Sequence, residues 1–503
     1  MEHDVDFVIR DGLLARYRGP GGDVAIPAGV TGIGPEAFAS CRAMTRVTIP
    51  DGVTEIGEAA FSFCNGLTEI SLPDSVTRVG NQAFWFCVHL RSASLGKGVT
   101  EIGDEAFWSC KRLARVALPA GLTHIGSRVF FDCDSLMRAE IPAGVTRIGD
   151  RTFENCRALT DATLPEGLTD IGKKAFSGCQ SLRHIAIPPK VARIREQAFS
   201  YCLRLERVDF PAGLKAIDSG AFNGCEALAE AAIPAGVTDI GSFAFCGCAG
   251  LAEAVLPSGV KDVGQAAFAD CTGLVRATIP DALSDFGAFA GCTRLREYAV
   301  PRDSRKYSAV DGVVFSRDGR RLVAYPPGRA CERYDIPATV VEVGSRAFAG
   351  AAAKLVFVPA GVEKMSVLAA TGEGDGDPYV AHSRAAFTAD LGKPVYLGPP
   401  DDLSIRQKKR AVDGFLYALE TGLTEMEPWK ERYIEYIRQE YVTWEKKAWK
   451  DEAMLRLLVD RRMLRADTAR NMRKKYAAAG RADLVAALTD YLDALAPDGT
   501  ERT

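Results

Sequence analysis

A phenylalanine recurs every 23 residues along about half of this 503-residue chain. The series runs Phe38, Phe61, Phe84, Phe107, Phe130, Phe153, Phe176, Phe199, Phe222, Phe245 and Phe268, and Phe289 follows after a two-residue deletion. A fixed period of roughly 20 to 50 residues indicates a repeat architecture, because a unit that cannot enclose a core alone buries its apolar face on its neighbours. The chain is therefore expected to fold as a stack of coils.

Cysteine keeps the same period, at Cys41, Cys64, Cys87, Cys110, Cys133, Cys156, Cys179, Cys202, Cys225, Cys248, Cys271 and Cys292. One cysteine per unit is not a set of disulfide pairs, and it is typical of small apolar residues stacked between coils. Zinc would need ligands at short spacings, and the only close pair is Cys246 and Cys248. We expect free thiols, no metal site and no cofactor.

Each unit reads as a short strand followed by turns. In residues 67–72 apolar and polar side chains alternate, which predicts a half-buried strand, and Pro73 closes it. A second apolar piece follows at residues 76–79, and the Ala-Phe-x-x-Cys segment at 83–87 turns back with its Phe and Cys inward. Strands of successive coils are expected to pair in parallel, about 4.8 Å apart.

The recurring run I-P-x-G-V-T-x-I-G-x-x-A-F-x-x-C-x-x-L resembles the BspA-type leucine-rich repeat, and the resemblance covers residues 24 to 364. It implies a bacterial protein with a leucine-rich-repeat-like solenoid. Members of that family are largely surface proteins and adhesins, some of which bind host matrix proteins.

The rhythm divides the chain. We predict an N-terminal capping hairpin at 1–26, the solenoid at 27–301, a β-hairpin or meander insertion at 302–336, degenerate repeats at 337–365, a linker with a closing strand at 366–403, and a helical domain at 404–503. A 3.6-residue apolar period predicts helices near 404–420, 428–447, 450–463, 466–479 and 481–495. The predicted fold class is a β-rich repeat solenoid of 23-residue coils with parallel sheets, followed by a small all-α domain.

Charge is balanced, with 62 basic and 65 acidic residues and a net charge of −3. No general attraction to nucleic acid or an anionic membrane follows from it. Apolar runs stay shorter than the roughly 18 residues of a membrane span, and the first thirty residues lack an apolar leader. We expect a cytoplasmic protein with no nucleic-acid or membrane partner.

Catalytic motifs are missing from the sequence. There is no G-x-S-x-G elbow, no H-E-x-x-H and no G-x-G-x-x-G placed after a strand. His184 on the strand face could act as a base, but the sequence assigns it neither a nucleophile nor a carboxylate. The prediction is a protein that is not an enzyme.

Two surfaces of the predicted solenoid could bind a partner. The residues at the outward strand position include both acidic and basic side chains. Such a mixture is about equally consistent with a surface that binds a protein partner and with side chains that are simply solvated. A second surface is aromatic and is the candidate partner-binding site: Phe63, Trp85, Phe86, Trp108 and Phe131 follow the ladder phenylalanines of coils two to five. Stacking should set Trp85, Trp108 and Phe131 in one column. The column either forms an interface hot spot or packs under a neighbouring element of the same chain.

A basic stretch in the helical domain comprises Arg461, Arg462, Arg465, Arg470, Arg473, Lys474 and Lys475. Such stretches attract anionic partners, but more often they are solvated helix faces. The function that these observations favour is a non-catalytic protein-binding scaffold, with self-association left open. The alternative is a cell-surface adhesin of the BspA type, exported by an unrecognised route.

Overall fold

The computed structural model describes residues 6–344, 346–358, 362, 364–365, 385–388, 394–396, 412, 415–416, 419 and 430–495. The chain forms two compact units. The first comprises residues 1–319, 323–330 and 348–351, and the second comprises 320–322, 331–347 and 352–503. Among the described residues, no helix has the length and apolarity needed to span a bilayer.

Most coils of the solenoid contribute one strand to each of two faces, and the coil of Glu230 has only an isolated bridge to Arg207 on the first face. The strands of the first face are Gly22–Ala25, Met44–Thr48, Glu69–Ser71, Ser92–Ser94, Arg115–Ala117, Arg138–Glu140, Asp161–Thr163, His184–Ala186, Arg207–Asp209, Glu253–Ala254, Arg276–Thr278 and Glu297–Ala299. The strands of the second face are Gly32–Ile33, Glu55–Ile56, Arg78–Val79, Glu101–Ile102, His124–Ile125, Arg147–Ile148, Asp170–Ile171, Arg193–Ile194, Ala216–Ile217, Asp239–Ile240 and Asp262–Val263. Pairing between these coils is parallel and in register, as where Ser92 lies beside both Glu69 and Arg115. The predicted solenoid with parallel sheets is confirmed.

The ladder phenylalanines form the centre of the core. All twelve are buried, and successive rings from Phe38 to Phe289 stack with centroids 4.9–5.6 Å apart and planes within 17° of each other. Tyr325 and Phe348 stack in the same manner at 5.2 Å. Tyr325 and Phe348 each mark one further turn of the chain. The described part of the solenoid therefore has about 14 turns, two more than the twelve units that carry the phenylalanine in the sequence.

The cysteine column is buried as predicted from Cys64 onward, whereas Cys41 is half-buried, and the column has a further role. The thiol of Cys64 donates a hydrogen bond to the backbone oxygen of Phe38 in the preceding coil, 3.1 Å away. The same bond recurs for the later ladder cysteines through Cys292, at 3.1–3.3 Å. The sequence pattern predicted small apolar residues, but these side chains are also hydrogen-bond donors that join neighbouring coils.

Two residues have a left-handed backbone conformation in each coil from Phe38 to Phe268, and one, Gly291, has it in the coil of Phe289. One lies two residues before the ladder phenylalanine, as Gln82 does (φ 55°), and the other lies two residues after it, as Asn155 does (φ 62°). We call the second one the rear turn position. The rear turn positions are Ser40, Phe63, Phe86, Ser109, Asp132, Asn155, Gly178, Tyr201, Gly224, Gly247, Asp270 and Gly291, with φ between 53° and 74°. This conformation suits Gly, Asn and Asp far better than bulky side chains.

Hairpins and further strands flank the main stack. Phe7–Arg10 pairs antiparallel with Leu13–Tyr17, which continues in parallel into Gly32–Ile33. A second hairpin joins Tyr307–Val310 to Val313–Ser316, after the 3-10 turn Phe286–Phe289.

The second unit contains parallel and antiparallel strand pairs. Arg321 and Leu322, from the strand Arg321–Ala324, pair with Glu342–Val343, which pairs with Lys364–Met365. Cys331–Asp335 pairs with Ala353–Val358. The strands Ala385–Thr388 and Pro394–Tyr396 follow in antiparallel order. The remainder of the predicted linker at 366–403 lies outside the described residues.

Five helices are described near the C-terminus: α1 Lys430–Gln439, α2 Tyr441–Ala448, α3 Glu452–Asp460, α4 Ala466–Ala478 and α5 Ala482–Leu495. The prediction of one helix at 428–447 was wrong, since the chain leaves helical geometry at Glu440. The apolar spacing from Tyr433 to Trp444 keeps its period across that break, so the pattern could not reveal it. Tyr433, Ile434, Ile437 and Trp444 are buried in the helical core, whereas most of the predicted helix at 404–420 lies outside the described residues.

Candidate functional site

The five candidate aromatic residues occupy two neighbouring positions in successive coils. Trp85, Trp108 and Phe131 directly follow a ladder phenylalanine, and Phe63 and Phe86 occupy the rear turn position. All five side chains are half-buried. Each therefore keeps part of its ring at the surface.

The rings form two groups. In the first aromatic group, the Trp85 ring lies 4.8 Å from that of Phe63 and 4.7 Å from that of Phe86, nearly perpendicular to both, and the two phenylalanine rings lie 5.4 Å apart. In the second aromatic group, Trp108 stacks on Phe131 at 4.2 Å. Both groups have the offset and edge geometries that aromatic pairs favour.

Trp85, Trp108 and Phe131 occupy one column of the backbone, as predicted, but the ring of Trp85 does not continue the row of rings. The backbones are neighbours, since Phe86 N donates to Trp108 O at 2.9 Å. Between the two indoles, however, the described part of the chain has no ring contact. Trp85 turns to the phenylalanines at two rear turn positions, and the fourth coil has Ser109 at that position, so Trp108 pairs with the following coil instead.

The two indole N–H groups are available to solvent or to a partner. Neither donates a hydrogen bond within the described chain, and neither is among its buried unsatisfied groups. The guanidinium of Arg128 lies 5.7 Å from the Trp108 ring centroid and also bonds Glu105 at 3.0 Å. The second group thus has a charged side chain at its edge. No described cation lies over a ring of the first group.

Phe63 and Phe86 have φ values of 57° and 56°. A left-handed conformation costs an ordinary residue about 1 to 2 kcal/mol, and nine of the other ten rear turn positions in the main stack carry Gly, Asn, Asp or Ser. This cost becomes visible only once the φ values are known. The sequence alone therefore could not show that Phe63 and Phe86 occupy a backbone conformation that bulky residues avoid.

Glu154 extends the surface beyond the second group, and sequence reasoning missed it. It directly follows Phe153, in the position that Phe131 has one coil earlier. One carboxylate oxygen is buried without a hydrogen-bond partner, 3.6 Å from the Arg151 guanidinium. Burial raises the pKa of Glu154, and the Arg151 charge acts in the opposite direction.

The outward strand positions behave as a solvated charged face with local pairing. Arg46 pairs with Glu69 at 3.3 Å, and Arg276 lies between two glutamates at 3.4 and 3.9 Å. A surface depression of about 660 Å³ lies on this face, over Ser92 and beside Arg115.

His184 does have a carboxylate partner, which sequence reasoning missed. Its Nε2 lies 2.8 Å from Asp209 Oδ2, because parallel pairing brings Asp209 of the next coil close to it. The Arg207 guanidinium, followed by the hydrogen bond to His184, lowers the pKa of Asp209. All three side chains are largely exposed.

Ion pairs and hydrogen bonds occupy much of the basic stretch of the helical unit. Arg465 bonds Glu445, Arg461 bonds Glu431 at 3.1 Å, and Arg470 bonds Asp467 at 2.8 Å. Lys475 donates to the backbone oxygen of Trp449. These contacts reduce the charge that the stretch could offer an anionic partner.

Residues 31–160, 146–275 and 216–310 match the family described as BspA type Leucine rich repeat region (6 copies). The chain belongs to the BspA-type leucine-rich repeat family. The match indicates no enzymatic family. Over the described residues, no group of three His, Cys, Asp or Glu side chains could hold a metal ion.

Several solved structures are similar to this BspA-type chain. A leucine-rich repeat protein from Bacteroides ovatus is 28% identical over 57% of this chain and 81% of its own, with a TM-score of 0.47. The Treponema pallidum leucine-rich repeat protein is 35% identical over 34% and 82%, with a TM-score of 0.33. A leucine-rich cell surface protein from Faecalibacterium prausnitzii is 25% identical over 60% and 94%, with a TM-score of 0.36. None of the curated proteins matches the chain.

Proposed function

We propose that this BspA-type chain is a non-catalytic protein-binding scaffold whose partner docks on the two aromatic groups. The observation that carries the proposal is the left-handed backbone of Phe63 and Phe86. Strained bulky residues persist where another benefit offsets their cost, and they concentrate at functional sites.

The chemistry of the surface supports a protein partner. Half-exposed phenylalanine and tryptophan rings are enriched at interface hot spots, where they fill pockets of the partner and exclude water. The indoles of Trp85 and Trp108 can each donate one hydrogen bond across the interface. The Arg128–Glu105 pair at the edge of the second group supplies charge, which sets orientation and specificity more than affinity.

The test replaces Phe63 and Phe86 together by Asn, which this chain itself accommodates at the rear turn position as Asn155. Relief of backbone strain offsets part of the lost ring contacts, so we expect the free energy of unfolding to change by less than about 1 kcal/mol. Binding to a partner captured from host lysate by the wild type, and then purified, should weaken by about 2 kcal/mol or more, about thirtyfold.

A matched control is Met137→Ala, which removes an exposed apolar side chain, 43% accessible, outside both groups. It should leave the affinity unchanged. Sedimentation of the wild type and of the double variant measures self-association separately. Equal affinity of the double variant and the wild type for the purified partner would disprove docking at the first aromatic group.

We also propose that the protein acts in the cytoplasm. The support is its free cysteines, which suit a reducing compartment. The adhesin alternative predicts that a protease added to intact cells degrades the protein. Full resistance of the chain until the cells are lysed is the outcome expected for the cytoplasmic scaffold.

A further inference from the structure

The strand Phe7–Arg10 is the outermost strand of the second face at the N-terminal end of the solenoid. It pairs antiparallel with Leu13–Tyr17 on one side, and no described strand lies on its other side. We call it the edge strand. An open strand edge offers main-chain N–H and C=O groups to a further strand, and natural sheets often protect such edges with Lys or Pro. The edge strand contains neither.

The two ends of the edge strand show how its main chain is oriented. Arg18 N donates to Asp6 O at 2.7 Å, so the main chain of Asp6 faces the neighbouring strand. At the other end, the two-residue turn Asp11–Gly12 has φ values of 48° and 79°. A turn of this kind closes with a hydrogen-bonded pair, which here is Arg10 with Leu13.

Main-chain groups alternate in direction along a strand. Since both ends face the neighbouring strand, Val8 does so as well, whereas the N–H and C=O groups of Phe7 and Ile9 face the open edge. The register shift of this hairpin leaves Ala15 of the neighbouring strand unpaired. It therefore does not interrupt the alternation within the edge strand.

The apolar core extends to the edge strand. The Phe7 ring lies 5.1 Å from that of Tyr17, which lies 5.2 Å from that of Phe38, the first ladder phenylalanine. Ile9 pairs with the fully buried Leu14, yet 40% of Ile9 is exposed. The end of the core is thus incompletely covered at Ile9.

We propose that the edge strand pairs with the edge strand of a second copy of this chain, antiparallel and centred on Val8. In this register the outward main-chain groups of Phe7 meet those of Ile9 in the second copy. The two-fold axis repeats the pair, which gives four main-chain hydrogen bonds. Each Ile9 side chain then gains the opposite Phe7 as a neighbour on the same face of the joined sheet.

Charge complementarity identifies the occupant as a second copy and selects the register. Centring on Val8 sets Asp6 opposite Arg10 at both ends of the joined strands, where opposite charges stabilise the pairing. Within the described residues, neither side chain has an ion-pair or hydrogen-bond partner. Registers centred on Phe7 or on Ile9 would instead set a charge opposite Val8. A strand of unrelated sequence could use the main-chain groups but would not explain this internal match.

A second hairpin of the chain lacks the match. Its strand Tyr307–Val310 is also outermost in its sheet and is also followed by an Asp-Gly turn, at Asp311–Gly312. The positions equivalent to the two charged ends of the edge strand carry Lys306 and Val310. The self-complementary pattern is therefore not a general property of these hairpins.

Sedimentation equilibrium of the full-length protein between about 1 and 300 μM tests the proposal, at about 50 mM salt so that exposed charges are little screened. We expect a monomer–dimer equilibrium with a Kd of about 100 μM or tighter. Asp6→Arg and Arg10→Asp each place two like-charged pairs in the dimer, so each should weaken dimerisation by about tenfold or more. Ile9→Pro removes an outward N–H, which an edge strand tolerates, and should weaken it by a similar factor.

Mixing the two charge variants tests the register itself. The Asp6→Arg chain has only basic ends on its edge strand, and the Arg10→Asp chain has only acidic ends. An equimolar mixture should therefore form a heterodimer with about the Kd of the wild-type dimer. That heterodimer would also show that both variants are folded.

The matched control is Val310→Asp, which places a charge at the equivalent, 57% exposed position of the second hairpin. Its dimer Kd should equal that of the wild type. The proposal is overturned if the wild type stays monomeric to about 300 μM, if either charge variant dimerises as the wild type does, or if their mixture forms no heterodimer.

The aromatic groups are a separate surface. The double variant of Phe63 and Phe86 to Asn should dimerise as the wild type does, and loss of its dimer would assign self-association to the aromatic groups and overturn the edge pairing. Arg10→Asp should bind the purified partner with wild-type affinity, so the protein-binding site and the edge strand fail or succeed independently.

Discussion

The thiol of Cys87 donates a hydrogen bond to the backbone oxygen of Phe61 in the preceding coil, 3.1 Å away. That oxygen also accepts the backbone N–H of Cys64 at 3.2 Å. One buried carbonyl thereby joins two coils. Because the bond needs the thiol proton, the ladder of cysteines makes the stability of the stack dependent on pH.

Stability should therefore fall at alkaline pH. Burial raises the pKa of the Cys87 thiol from 9.0 to about 12 and that of Cys110 well above 9.0. A pKa that folding raises contributes stability that is complete below the unfolded value and is lost as pH rises toward the folded value. Urea unfolding between pH 7 and pH 11 should show a decline that begins near pH 9 and steepens above it. Replacing Cys110 and Cys133 by Ala should flatten that decline, and an unchanged slope would contradict the assignment.

The same burial predicts inert thiols. Reaction with an alkylating reagent requires the thiolate and access to it, and the ladder cysteines from Cys64 onward offer neither. Under native conditions, mass spectrometry should find label only on the partly exposed Cys41, Cys246 and Cys331. After unfolding without reductant, nearly all fourteen should react. A mass that indicates several disulfide bridges would refute both the free thiols and the proposed cytoplasmic location.

The phenylalanine ladder should dominate the stability of single coils. Phe153 is fully buried between Phe130 and Phe176 at 5.4 and 5.2 Å, so Phe153→Ala should lower the free energy of unfolding by about 3 to 5 kcal/mol. Asp161 is exposed on a strand of the first face, and Asp161→Ala should change the free energy of unfolding by no more than about 0.5 kcal/mol. Chemical denaturation compares the two variants. Equal losses of unfolding free energy would contradict the assignment of Phe153 to the core and Asp161 to the surface.

Much of this core could be predicted because it depends on periodicity. The recurrence of Phe153 and Cys156 at 23-residue intervals is visible in the sequence, and stacking then requires that both point inward. The ring grouping at Trp85 could not be predicted, because side-chain rotation depends on local neighbours such as Ser109. The break at Glu440 was equally hidden, since neither Gly nor Pro marks it.

The two aromatic groups should act independently in stability. Trp85 contacts Phe63, whereas no ring contact joins it to Trp108 in the described chain. In double-mutant cycles with Ala, Trp85 and Phe63 should show a coupling energy of about 0.5 kcal/mol or more, and Trp85 and Trp108 less than that. Chemical denaturation of the single and double variants gives both values. Stronger coupling between the two tryptophans would restore the continuous column.

In the helical unit, one ion pair should matter far more than the rest of the basic stretch. The carboxylate of Glu445 is 8% exposed and receives Arg465 together with the Thr468 hydroxyl. Arg465→Ala should destabilise the unit by about 1 to 3 kcal/mol, since a mostly buried carboxylate loses its charged partner. Arg473, which has no ion pair among the described residues, provides the control, and Arg473→Ala should change the thermal midpoint very little.

The left-handed residue before each ladder phenylalanine separates what a coil displays from what holds it together. Gln82, Arg128, Lys174 and Phe243 differ in size and charge, yet their φ values stay between 54° and 58°. Substitution at this position in successive coils, among residue types other than proline and the β-branched ones, which this φ disfavours, should therefore yield a combinatorial library of surfaces on one backbone. A solenoid of this kind can diversify its recognition without redesigning its fold.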